Sequence, residues 1–312
     1  MVAVSAPAAV ETHGLTKDYG GGRGLFDLDL VVREGETFGF LGPNGAGKTT
    51  TIRLLMGLIH ATRGSATVFG LDCRERAVDV AKLVGYVPGE LPQFGGLRGA
   101  EVVSYLGAIR GGIDRGHVQR LAERFDLDLG RRFREYSRGN KQKLGLILAF
   151  MARPRLLILD EPTGGLDPLN QQTFHDVVRE AIGEGATVFL SSHVLSEVEH
   201  ICTRVGIIRG GSLVGDRSLD ELHAMRYHDV EIVFDGTVPG DAVRRAAGVD
   251  SVNISGQRLT CTVHGDFSAL LAALQGAHVV NMVSSEPTLE SVFLTYYRDA
   301  EPQRDVVEEG AQ

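Results

Sequence analysis

The sequence predicts an α/β fold: a parallel sheet with intervening helices, a mainly helical insertion, and a small α+β domain behind it. Three observations carry that expectation. Short, mainly apolar runs at 37–41, 156–159 and 187–191 alternate with helix-compatible stretches, the pattern of a sheet buried on both faces. From about residue 94 to 150 the patterning is mainly helical, until Pro154 stops the last helix. After about residue 225 the order becomes β-α-β-β-α-β, which suggests a ferredoxin-like sandwich.

In order along the chain, residues 1–10 (MVAVSAPAAV) have neither the basic start nor the apolar core of a signal peptide, and read as a loose tail. Residues 11–225 form the larger domain, with the helical subdomain at about 94–152. Within the small domain, at 226–299, residues 230–234 alternate like a strand and 241–247 suit a short helix. Two strands, 251–255 and 258–263, turn at Gly256 and Gln257, with Leu259, Cys261 and Val263 on one face. A helix over 267–274 and a strand over 279–283 follow. A last helix starts near Pro287, a favoured first-turn residue, with Leu289, Val292, Phe293, Tyr296 and Tyr297 on one stripe. Residues 300–312 read as a solvated acidic tail.

Bulk properties exclude several classes. A net charge of −8 supplies no positive field for nucleic acid, so no nucleic-acid partner is expected. The 3 cysteines, Cys73, Cys202 and Cys261, are far apart and make neither a disulfide framework nor a metal pair, which suggests a reducing compartment. No apolar run approaches the roughly 18 residues needed to span a bilayer. Any membrane crossing is therefore expected from another chain. No internal repeat is visible, so a single copy of each unit is expected.

The strand at 37–41 ends in Gly42-Pro43-Asn44-Gly45-Ala46-Gly47-Lys48-Thr49, which fits the phosphate-binding loop G-x-x-x-x-G-K-[ST]. Its glycines let backbone N–H groups turn toward an anion. The helix that begins Lys48, Thr49, Thr50 presents unpaired donors and its positive dipole end. Lys48 reaches the outer phosphates, and the Thr49 hydroxyl suits one position around an octahedral Mg2+. In a chain with 40 glycines a plain turn is the bland alternative; the flanking strand and helix argue against it.

Leu156-Leu157-Ile158-Leu159-Asp160-Glu161 places two acids at the carboxyl end of a buried strand, where open α/β sheets put their ligands. Asp160 suits the Mg2+ shell, and Glu161 suits orientation or deprotonation of an attacking water. Apolar strands ending in acids are common, so this one has weight because it follows a phosphate loop.

With these motifs in this order, residues 11–220 resemble ATP-binding-cassette (ABC) nucleotide-binding domains. Tyr136-Ser137-Arg138-Gly139-Asn140-Lys141-Gln142-Lys143 resembles the family's LSGGQ signature, Gly164-Gly165-Leu166-Asp167 its D-loop, and Ser191-Ser192-His193 its switch-histidine loop. Tyr19 sits where the family keeps a ring against adenine; an ordinary strand-end aromatic is the alternative. His193 is implied to meet the γ-phosphate; a satisfied strand-end histidine is the alternative. The resemblance implies a P-loop ATPase using ATP and Mg2+, with Glu161 and His193 catalytic. It implies nucleotide contacts from Tyr19, residues 42–50, Ser137, Gly139 and Asp160.

Two departures stand out. Arg138 and Asn140 replace a glycine and a glutamine of the signature. Gly89 stands where the family's Q-loop glutamine should follow Val87-Pro88, so either Glu90 takes over the metal and coupling role or the loop works differently. Both variants, and the run from Glu286 to Tyr297, resemble bacterial drug- and antibiotic-exporting members. That implies a dimer of nucleotide-binding subunits, homodimeric or paired with a paralogue, at the cytoplasmic face of the membrane on separate permease subunits. The alternatives are a soluble, non-transport ABC ATPase and a nucleotide-gated module with weak hydrolysis.

Overall fold

The computed structural model describes residues 6–224 and 227–285. The helix expected from Pro287 and the tail at 300–312 lie outside the described residues. The chain divides into two compact units between Leu219 and Asp220, slightly ahead of the boundary expected near residue 225.

The first unit opens with strands β1 (Ala8–Asp18) and β2 (Gly24–Arg33), joined by a glycine turn. β3 (Thr37–Leu41) leads into α1 (Lys48–Leu55), followed by β4 (Arg63–Val68), β5 (Leu71–Asp72), α2 (Ala77–Leu83) and β6 (Val84–Val87). The helical insertion holds α3 (Gly99–Ile109), α4 (Arg115–Arg124), a 3-10 turn at Phe133–Glu135 and α5 (Arg138–Phe150). β7 (Leu156–Asp160), α6 (Pro168–Gly183), β8 (Thr187–Ser192), α7 (Leu195–Ile201), β9 (Arg204–Arg209) and β10 (Ser212–Ser218) complete it. The short α8 (Leu219–Ala224) lies across the division.

Six of these strands make the central sheet, in the order β10-β9-β3-β8-β7-β6. β9, β3, β8, β7 and β6 run parallel, and β10 is an antiparallel edge. Every residue of β3, β7 and β8 is buried, which explains their continuous apolar runs. The rings of Phe38, Phe40 and Phe189 pack with centroids 5.5–6.3 Å apart across β3 and β8. Position 39 is glycine because α7 lies close over β3: a Cβ there would fall 2.6 Å from Val198 Cγ1.

A second, antiparallel sheet, ordered β2-β1-β4-β5, covers one end of this core. It corrects the expected loose tail at 1–10: β1 begins at Ala8, because Ala9 and Val10 are fully buried and Val10 pairs with Val68. Arg204 ties the two sheets, donating to Glu36, Asp216 and the Val31 carbonyl while its guanidinium stacks over Phe38.

The second unit contains β11 (Tyr227–Phe234), α9 (Gly240–Arg244), β12 (Val249–Ser255), β13 (Arg258–His264), α10 (Ser268–Ala273) and β14 (Val279–Ser285). Its sheet is antiparallel, ordered β12-β13-β11-β14. Val230, Ile232, Phe234, Leu259, Cys261 and Val263 alternate onto one face and form a core with Val243 and Leu270 from the helices.

Candidate functional site

The site forms where β3, β7 and β8 end side by side. β3 gives way to the loop 42–47, and α1 starts at Lys48. Gly47, at the helix N-cap, has φ 115°, a conformation open to glycine and strained for other residues. At Gly42 a Cβ would lie 2.4 Å from the Ile208 carbonyl oxygen, so β9 leaves no room for a side chain.

Lys48 folds back over its own loop. Its side chain is 5% exposed, and Nζ donates to the carbonyls of Gly42 (2.6 Å) and Pro43 (3.2 Å) and lies 3.5 Å from Glu161 Oε1. Burial lowers its affinity for the proton, and the nearby negative charge of Glu161 opposes that. Tyr19, Arg23, Asn44, Gly45, Thr50 and Glu161 line one concavity with Lys48, and Pro43, Gly47 and Thr49 join its wall. Ala46 is buried behind the loop. Half-exposed Tyr19 carries the Lys17 ammonium 5.5 Å from its ring centre, and its N–H donates to the Arg23 carbonyl.

Asp160, 1% exposed, is the last residue of β7. It accepts from Thr49 Oγ1 (2.9 Å, on Oδ2) and from Ser191 Oγ (2.5 Å, on Oδ1). Glu161 follows with φ 49°, a left-handed conformation that costs a non-glycine residue about 1–2 kcal/mol. That turn brings its carboxylate to Lys48 and to His193, whose Nδ1 is 3.0 Å from Glu161 Oε1. The Glu161 N–H donates to the Ser191 carbonyl.

The structure thus brings together Tyr19, the phosphate-type loop, Lys48, Thr49, Asp160, Glu161 and His193. Ser137, Gly139 and Glu90 are not among the residues lining that concavity. Ser137 is the N-cap of α5 and accepts from Asn140 N–H at 3.2 Å. Gly139 packs so close to the loop after Glu161 that a Cβ would meet the Gly165 carbonyl oxygen at 2.7 Å. Gln142 Nε2 donates to the Pro162 carbonyl, a second tie between α5 and that loop. Glu90 is exposed, whereas a side chain at position 89 would begin 3.4 Å from Asp160 Oδ2.

Sequence reasoning did not single out Arg23 or the Ser191 hydroxyl. The glycines around Arg23 were a usable signal; Ser191 was named only as part of the switch-histidine loop, with no signal for a contact of its hydroxyl with Asp160.

Chemically, a backbone loop, a lysine and a helix start converge beside a hydroxyl–carboxylate pair, Thr49 and Asp160. Those hard oxygens fit a Mg2+ ion that takes its other ligands from phosphate and water. Among the described residues no group of three or more His, Cys, Asp and Glu side chains forms a metal cage. Beside that pair, Glu161 is placed to accept a proton.

Residues 25–164 match the family model described as ABC transporter. The chain is 33% identical over 294 residues to the bacitracin transport ATP-binding protein BcrA of Enterococcus faecalis, covering 91% of this chain and 94% of that protein. It is also 33% identical over 305 residues to the daunorubicin resistance ATP-binding protein DrrA3 of Streptomyces coeruleorubidus, covering 93% and 96%. A solved ATP-binding subunit of an ABC transporter superposes with TM-score 0.64 at 29% identity, over 69% of this chain and 92% of that one. The chain belongs to the ABC transporter ATP-binding protein family, and it is an ATPase of that family.

Proposed function

We propose that this chain is the motor of a membrane exporter of drugs, antibiotics or related hydrophobic compounds, working at the cytoplasmic face on separate permease subunits. The carrying observation is the convergence of Lys48, the Thr49–Asp160 pair, Glu161 and His193. Two relatives named for bacitracin transport and daunorubicin resistance, matched over nearly their whole length, support the transport class. No described helix is long and apolar enough to cross a membrane, which fits a separate permease.

In this reading the loop N–H groups and Lys48 hold the β- and γ-phosphates, and Tyr19 supports the adenine. Thr49 and Asp160 would hold Mg2+, which would supply charge neutralisation on the triphosphate, and Glu90 would take the metal and coupling role of the family's Q-loop glutamine. Glu161 takes the proton of the water that attacks the γ-phosphorus; the bond to the β-phosphate oxygen breaks and ADP leaves with that electron pair. His193 orients Glu161 and the γ-phosphate. Ser137 and Gly139 at the start of α5 serve the triphosphate held by a second copy, so that ATP joins two half-sites and hydrolysis parts them. We favour a ferredoxin-like sandwich for the small domain read at 226–299, and the β12-β13-β11-β14 order of the second unit supports that reading.

The test is purification from native membranes in mild detergent, with phosphate release measured on the product. Recovery of an ATP-hydrolysing complex with a multi-helix membrane chain supports the reading. Recovery of the chain only with ribosomes or DNA contradicts it.

A further inference from the structure

Ser191, Ser192 and His193 are consecutive, and each meets a different acid. Ser191 Oγ donates to Asp160 and His193 Nδ1 meets Glu161, both inside the site. Ser192 faces the other way: its Oγ donates to Glu197 Oε2 at 2.5 Å and accepts from Val194 N–H at 2.9 Å. Glu197, on α7, is only 5% exposed. Burial raises the proton affinity of its carboxyl, while the hydroxyls of Ser192 and of Thr163, in the turn after Glu161, oppose that. Its Oε1 has no hydrogen-bond partner among the described residues.

A buried carboxyl with an orphaned oxygen is a poor choice for stability alone, since an apolar residue of similar shape avoids that desolvation cost. The group does make one specific contact. β8 ends at Ser192, so His193 is the first residue beyond the sheet ladder. The Ser192 hydroxyl, held by Glu197 on one side and by Val194 N–H on the other, fixes the backbone on both sides of that histidine.

We propose that Glu197 is a positioning residue for ATP hydrolysis, holding His193 against Glu161 through Ser192. This rests on the roles given above to Glu161 and His193. The test compares Glu197→Ala, Glu197→Gln and Ser192→Ala, with Glu161→Gln and His193→Ala in parallel, reading kcat, KM for ATP and thermal midpoint. Glu197→Ala and Ser192→Ala are expected to lower kcat about 10- to 100-fold with KM unchanged. Glu197→Gln, whose amide oxygen still accepts from Ser192, restores most of the rate. Wild-type kcat in Glu197→Ala overturns the inference, as does a loss of kcat matched by an equal rise in KM. If Glu197→Ala does not fold, Ser192→Ala decides by the same criteria. Wild-type turnover in both Glu161→Gln and His193→Ala instead overturns the underlying site assignment.

Discussion

Replacing Glu161 by glutamine keeps the shape of the side chain and removes its charge and basicity. Glu161 Oε1 lies 3.5 Å from Lys48 Nζ, a gross Coulomb attraction of about 5 kcal/mol at an effective dielectric near 20. The Glu161 side chain is 35% exposed and Lys48 keeps the Gly42 and Pro43 carbonyls, so the net loss of stability is below about 1 kcal/mol. The same carboxylate repels an incoming triphosphate. Its removal is expected to tighten ATP binding by up to about fivefold, or ~1 kcal/mol. Turnover moves the other way, because an amide accepts no proton from water: a loss of about 10²–10⁴-fold is expected. Phosphate release at saturating Mg-ATP measures the rate, and titration with a fluorescent ATP analogue measures the affinity. Turnover at the wild-type rate refutes the assignment of the base, and a collapse of affinity refutes the placement of Glu161 beyond the phosphates.

Ser137→Ala removes the N-cap of α5 and costs about 1 kcal/mol, read as a lower denaturant midpoint; hydrolysis is expected to fall as well under the proposal that this hydroxyl serves the facing triphosphate. Chelation by EDTA is expected to stop phosphate release but to leave the thermal midpoint of the nucleotide-free protein unchanged, because in the proposed reading the cation joins with the substrate. Burial pushes the Cys73 thiol up to about 12 and raises those of Cys202 and Cys261. Iodoacetamide at about pH 8 therefore labels none of the three in the folded protein and all of them in denaturant, as intact mass reports.

The loop and lysine of the proposed phosphate site were legible because such chemistry dictates residue type at fixed spacing. Only glycine suits φ 115° before a helix, and only a lysine in that place reaches back over the loop. The buried parallel strands were legible for a similar reason, since a strand covered on both faces has little room for polar side chains. The antiparallel sheet was not. β1 pairs with β4 across some fifty residues, and register shifts after Thr12 and His13 break the alternation along β1, although β2 alternates buried and exposed residues from Leu28 to Arg33. The left-handed turn at Glu161 was equally hidden, because nothing in an Asp-Glu pair shows that the second acid bends back toward the loop lysine. Glu197 looks like any acid in an amphipathic helix; its burial against Ser192 exists only once α7 lies over β3. The vacancy left by Gly89 beside Asp160 was visible as a departure from the family pattern, but its 3.4 Å approach to the carboxylate needed the fold.

The most direct test is complementation between two disabled copies, Lys48→Ala and Ser137→Arg. Each variant alone is expected to hydrolyse no ATP. An equal mixture is expected to recover about a quarter of wild-type phosphate release, because half the pairs are mixed and each mixed pair holds one intact site of two. A mixture as inactive as its components contradicts a triphosphate shared between copies.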